Sequence, residues 1–174
     1  TGAQTWTNGG SAASTPISGG QTGSGTETGS GAGKKVVAWV ANRVGKFAYS
    51  EALAGRLNPD QSGYTDCSGL WWRAYQDVTG VDVGTNTGLM ATHGGRVAIS
   101  SSDSISGAIA KSKAGDLLLL TWSGHNPSYD HVEGMVADGQ DKTLSHGGPG
   151  NGPNYFVASQ EMGMASEWEI RRYV

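Results

Sequence analysis

The sequence predicts one α+β domain over residues 34–174, preceded by a glycine-rich segment over 1–33. Three observations carry this. Helical periodicity is confined to the first half of the domain, and short apolar runs bounded by turn residues fill the second. Residues 1–33 lack the apolar content to join either part. Helices first and antiparallel strands after make an α+β fold, with N-terminal helices packed on a sheet of about five to six strands.

Ten of the first 33 residues are glycine, and Trp6 and Ile17 are the only large apolar ones. Such a segment buries too little surface to offset its ordering entropy, so a flexible linker or tail is expected. From Lys34 onward, Val37, Val40, Ala41, Val44 and Phe47 recur at helical spacing and predict about three turns. Lys34, Lys35, Arg43 and Lys46 scatter around that helix, as a solvated surface would. Residues 50–65 carry the turn signals Asn58-Pro59-Asp60 and Ser62-Gly63 and are expected to form a loop. A second helix is expected from Cys67 to Val78, with Leu70, Trp71, Ala74, Tyr75 and Val78 inward and Gly80 ending it. Trp71 and Trp72 point about 100° apart on a helix, so one belongs in the core and one is partly exposed. Short helices are expected over 86–92 and 104–111.

Strands are expected over 96–100, 116–122, 131–138, 143–146, 155–158 and 167–174. Gly139-Gln140-Asp141 supplies a tight turn between the third and fourth, which should form a hairpin.

Composition narrows the function classes. The net charge of −3 offers no basic field for nucleic acid. The longest apolar run, Leu117 to Leu120, falls far short of the ~18–20 residues that span a bilayer. A single cysteine excludes an internal disulfide framework and a Cys-rich zinc site. The chain starts with Thr and shows no signal peptide, so it reads as a processed product or a module of a larger protein, expected to be monomeric.

That cysteine lies in Thr65-Asp66-Cys67-Ser68-Gly69, where a loop enters a helix. Asp66 or Thr65 can cap the helix. In the first turn, the helix dipole and free N–H groups favour a thiolate and can hold a developing oxyanion. A thiol nucleophile needs a base. Of the four histidines, His93 and His125 sit in polar loops and are expected at the surface. His131 opens an apolar strand and His146 closes its hairpin partner. If Glu133 faces His146 across the turn, both histidines share a face, and His146 can orient His131 while His131 serves Cys67. A register shifted by one puts the two histidines on opposite faces.

The residues from Tyr49 to His146 resemble the NlpC/P60 cysteine peptidases, a group that includes phage-borne peptidoglycan hydrolases. The matching elements, in order, are Tyr49, Asp66-Cys67-Ser68-Gly69-Leu70, Gly80-Val81, Val83–Thr92, Ala114-Gly115-Asp116-Leu117-Leu118, His131-Val132 and His146-Gly147. The resemblance implies a papain-like α+β fold, with Cys67 as nucleophile, His131 as base and His146 as the orienting polar residue. It also implies that Tyr49 lies near the thiol and that Asp66 and Ser68 line the substrate cleft. Two departures stand out. The Trp-Gly-Gly that commonly follows the tyrosine is missing, and Glu133 stands where many members carry a small residue. Glu133 is expected as an exposed strand carboxylate, with projection toward the cleft as the alternative.

The resemblance further implies hydrolysis of peptidoglycan stem peptides at the γ-D-glutamyl bond to a diamino acid, without metal or organic cofactor. An N-acetylmuramoyl-L-alanine amidase using the same thiol is the alternative, and a non-catalytic wall-binding module a further one. A metallohydrolase is disfavoured because neither His-Glu-x-x-His nor His-x-His occurs. The substrate places the expected site of action outside the cytoplasm, as a secreted or virion-associated protein.

Overall fold

A computed structural model describes residues 31–148 and 150–174; residues 1–30 of the expected linker lie outside the described residues. The elements run α1 (Ala32–Ala41), β1 (Ala48–Tyr49), α2 (Pro59–Ser62), β2 (Tyr64–Thr65), α3 (Cys67–Thr79), α4 (Thr87–Met90), β3 (Gly95–Ile99), α5 (Ile105–Lys111), β4 (Leu117–Thr121), β5 (His131–Met135), β6 (Thr143–Ser145), β7 (Asn154–Phe156), α6 (Ala158–Met164) and β8 (Glu167–Arg172). Six strands form one antiparallel sheet in the order β3-β8-β4-β5-β6-β7. A separate parallel ladder pairs Ala48 with Tyr64 and Tyr49 with Thr65. The architecture is the predicted α+β one. Among the described residues, no helix is long and apolar enough to cross a membrane.

The central strand β4 explains why its sequence does not alternate. Leu117 and Leu119 join Val36, Val40, Leu70 and Trp71 in one apolar cluster, while Leu118 and Leu120 join Ala108, Met162 and Ile170 in another. A strand covered on both faces reads as an unbroken apolar run. All four leucines are fully buried, and each such burial contributes about 1.5–3 kcal/mol.

Helix α3 follows its sequence signals closely. The Asp66 carboxylate caps it by accepting from the Gly69 N–H at 2.5 Å, and Gly80, at φ 72°, ends it by donating to the Tyr75 and Gln76 carbonyls. Leu70, Trp71, Ala74 and Tyr75 are fully buried. Trp72 is half-buried, and its indole N–H reaches Asp82. The helix lies directly on β5: a Cβ at Gly134 would stand 2.1 Å from the Trp71 ring.

The structure departs from expectation at four places. Helix α1 starts at Ala32, so Ala32 and Gly33 belong to the folded unit and not to the lead-in. It also ends at Ala41, leaving Val44 39 % exposed. Gly45 turns left-handed at φ 73°, and the N–H groups of Gly45 and Phe47 pair with the carbonyls of Pro153 and Gly152, so the chain meets a distant loop where more helix was expected. The loop expected over 50–65 contains α2 and β2, and β1 precedes it, all too short to leave a periodic signal. Helix α6 was not foreseen, since Ala158 and Met162 are its only buried apolar positions.

Gly134→Ala forces Trp71 or β5 to move and is expected to destabilise the fold by about 1–3 kcal/mol or more. Urea unfolding measures this, and a cost under about 0.5 kcal/mol would show that the contact does not hold α3 in place.

Candidate active site

Cys67 is the first residue of α3 and is 6 % exposed. The loop that delivers it is locked by ionic and polar contacts. Arg56 Nη1 donates to both carboxylate oxygens of Asp66, at 3.1 and 3.0 Å, and its Nη2 donates to the Thr85 carbonyl at 2.6 Å. Ser68 Oγ donates to Asp66 at 3.2 Å, and Thr65 Oγ1 donates to the Arg56 carbonyl at 2.7 Å. Arg56, Asp66, Ser68 and Thr65 are all buried. Asp66 therefore caps α3 and neutralises a buried arginine at once. The side chains of Asp66 and Ser68, expected on the cleft wall, are engaged inward by these bonds.

His131 opens β5, where its ring is 6 % exposed and 5.8 Å from the ring of Trp122. Its Nε2 lies 2.9 Å from Ser145 Oγ and 3.5 Å from Glu133 Oε1. Burial pulls its pKa down, but attraction to Cys67, a hydrogen bond to that residue, and the neighbouring Glu133 carboxylate outweigh this and push it up to about 10. Cys67 and His131 thus form a buried thiol–imidazole pair whose surroundings favour the protonated imidazole.

The hairpin takes the register in which Gly134 pairs with Leu144 and Met135 with Thr143. Continued by one pair, it sets Glu133 opposite Ser145, so the register with Glu133 facing His146 is overturned. His131 and Glu133 share their face with Ser145 and Thr143, as the Ser145–His131 contact and the 2.6 Å bond from Thr143 Oγ1 to Glu133 show. His146 is buried, with neither ring nitrogen in a hydrogen bond; the Ala48 and Phe47 carbonyls lie beside the ring without meeting hydrogen-bonding geometry. Burial holds its pKa below the ordinary value. His146 does not orient His131; its ring packs edge-on against Tyr49 at 5.3 Å. Glu133 is also corrected, being 1 % exposed where an open strand position was expected.

Tyr49 reaches the site because β1 pairs with β2, which runs directly into Asp66 and Cys67. Burial first, then the nearby Cys67, Glu51 and Asp66, hold its hydroxyl well above the ordinary phenol range, so it stays a neutral donor, bonding Glu51 at 3.1 Å. His125 is exposed against Glu167, and His93 is half-buried in the loop before β3. Among the described residues, no cluster of three or more His, Cys, Asp or Glu side chains could hold a metal ion. Arg56, Thr143 and Ser145 escaped the sequence reading. No spacing rule links Arg56 to Asp66 across a loop, but the hairpin parity would have indicated Ser145 had the register been known.

No family model and no curated protein matches the chain. Solved structures do. NlpC2 from Trichomonas vaginalis aligns with a TM-score of 0.61 at 19 % identity over 83 % of this chain and 47 % of that one. The NlpC/p60 domain of the peptidoglycan hydrolase SagA aligns with a TM-score of 0.56 at 23 % identity, over 79 % of this chain and 97 % of the domain. RipD from Mycobacterium tuberculosis, described as a non-catalytic NlpC/p60 domain protein adapted to peptidoglycan binding, aligns with a TM-score of 0.53 at 16 % identity over 82 % of this chain and 98 % of its own. The fold is that of NlpC/P60 domains, and this chain spans about half the length of the Trichomonas protein.

Arg56→Met leaves the Asp66 carboxylate buried without its cation, which is expected to cost about 3–5 kcal/mol in urea unfolding. Adding Asp66→Asn should recover part of that loss. A single variant as stable as wild type would show that the pair does not hold the loop that delivers Cys67.

Proposed function

We propose that this protein, built on the NlpC/P60 fold, is a thiol hydrolase that cleaves an amide bond in peptidoglycan stem peptides. One observation carries the reading: a cysteine at a helix start is paired with a buried histidine whose protonated form its surroundings favour. A helix N-terminus with free N–H groups, a thiol and a proton carrier are the parts that acyl transfer requires. The hydrolase SagA, which shares the fold, supports the substrate class.

In the proposed reaction, His131 takes the Cys67 proton and the thiolate attacks a stem-peptide carbonyl. Backbone N–H groups near Cys67 and Ser68 hold the oxyanion. The C–N bond breaks as His131 protonates the leaving amine. Water, deprotonated by His131, then releases the acyl group and restores the thiol. The bond proposed is the γ-D-glutamyl link to the diamino acid, with the muramoyl–L-alanine amide as the alternative, since the same thiol serves both. Such a substrate puts the site of action outside the cytoplasmic membrane, for a secreted or a virion-associated protein alike. RipD illustrates the rival, a wall-binding role without cleavage; binding alone has no use for a thiol–imidazole pair.

Mass spectrometry of purified peptidoglycan treated with wild type and Cys67→Ala tests the reading. New amino termini on the diamino acid are expected with wild type and should fall by about three orders of magnitude or more in the variant. Stem peptides beginning with free L-alanine would move the enzyme to the amidase class. Equal digestion by both proteins would sink the thiol mechanism.

A further inference from the structure

We propose that Glu133, acting with Ser145, is the positioning residue that orients the His131 ring and holds its charge, in the place expected for His146. The inference rests on Cys67 and His131 being nucleophile and base.

Proton counting fixes the ring. A carbonyl oxygen only accepts, so the 2.8 Å contact from Ser145 Oγ to the Val132 carbonyl uses the single hydroxyl proton of Ser145. Toward His131 Nε2, at 2.9 Å, Ser145 is then an acceptor. Nε2 therefore carries hydrogen, and Nδ1 is the nitrogen left to take the thiol proton. The Glu133 carboxylate, 3.5 Å from the same Nε2, adds charge behind that bond.

Burial makes the pairing consequential. Glu133 is 1 % exposed, and among the described residues His131 is its one cationic neighbour within 4.0 Å. Thr143 Oγ1 donates to its other oxygen at 2.6 Å and pins the carboxylate in place. An ionised carboxylate this deep is costly unless a cation offsets it, so the imidazolium and Glu133 stabilise each other. The titratable groups facing His131 are Cys67 from α3, Glu133 from its own strand and His146 just after β6. Cys67 and Glu133 favour the imidazolium. His146 is held neutral by burial, and with no hydrogen bond from either nitrogen it offers His131 no orientation. The arrangement is Cys67, His131, and a serine–glutamate support contributed by a β-hairpin.

The test is an NMR titration of His131 in isotope-labelled protein, with the rate of Cys67 alkylation by iodoacetamide as a second readout. In Glu133→Gln the His131 midpoint is expected to fall by about one unit or more below that of wild type, a tenfold change in its protonation equilibrium. Alkylation at neutral pH should slow with it. His146→Asn should move the midpoint by less than half as much. An unmoved midpoint in Glu133→Gln, or a larger shift in His146→Asn, overturns the assignment. Should Glu133→Gln fail to fold, Glu133→Asp retains the charge but withdraws it by one methylene. A smaller shift in the same direction then supports the assignment, and none overturns it. Neither readout uses peptidoglycan, so a protein that titrates as stated yet leaves the wall intact would refute the proposed substrate and not the role of Glu133.

Discussion

The proposed nucleophile, on a helix, and the proposed base, on a strand, meet only if helix and strand pack at a fixed separation, and here Trp71 resting on Gly134 fixes it. Helix α3 carries Cys67 four residues before Trp71, and β5 carries His131 three residues before Gly134. Both elements are rigid over that distance, so one close contact in the core sets the spacing of two groups at the sheet end. The rest of the architecture serves the same contact. Cluster residues from α1 press α3 onto the sheet, and the second apolar cluster, with α5 and α6, backs the sheet from behind.

Charge at the site is arranged in two buried layers. Below the thiol, Arg56 and Asp66 cancel each other and fasten the helix start. Beside it, Cys67 and Glu133 both favour a proton on the His131 imidazole. The layers meet at α3, whose first turn is capped by Asp66 and begins with Cys67. Fixed charges held without water are stronger than solvated ones and need no reorganisation as the reaction proceeds. Tyr49 and His146, both neutral and packed on each other, wall the site without adding to this field.

Much of this was legible in the residue order. The cap, the nucleophile, the inner stripe of α3, the unbroken leucine strand and the histidine at a strand start all rest on local rules, and each was found where those rules put it. What failed depended on relations between distant segments. The hairpin register differs by one residue from the one that would align the histidines, and with period-two alternation one residue exchanges the whole face. That step took the support of His131 away from His146 and gave it to Ser145 and Glu133. The reach of Arg56 to Asp66 was invisible for a related reason: the pair spans a loop, with neither helical nor strand spacing.

The two-residue ladder between β1 and β2 carries a consequence for diversity. It clamps both ends of the segment 50–63, with Ser50 N–H bonding the Thr65 carbonyl and Ala48 N–H the Gly63 carbonyl. Lengthening a closed loop is cheap, about 0.6 kcal/mol for each doubling. Within the segment Arg56 is tied to Asp66, the cap of α3, while Leu53 stands 84 % exposed. The exposed tip around Leu53 is thus where length and composition can change at least cost, while Glu51, bonded to Tyr49, and Gly55, packed against Tyr64 and Ser62, hold its flanks.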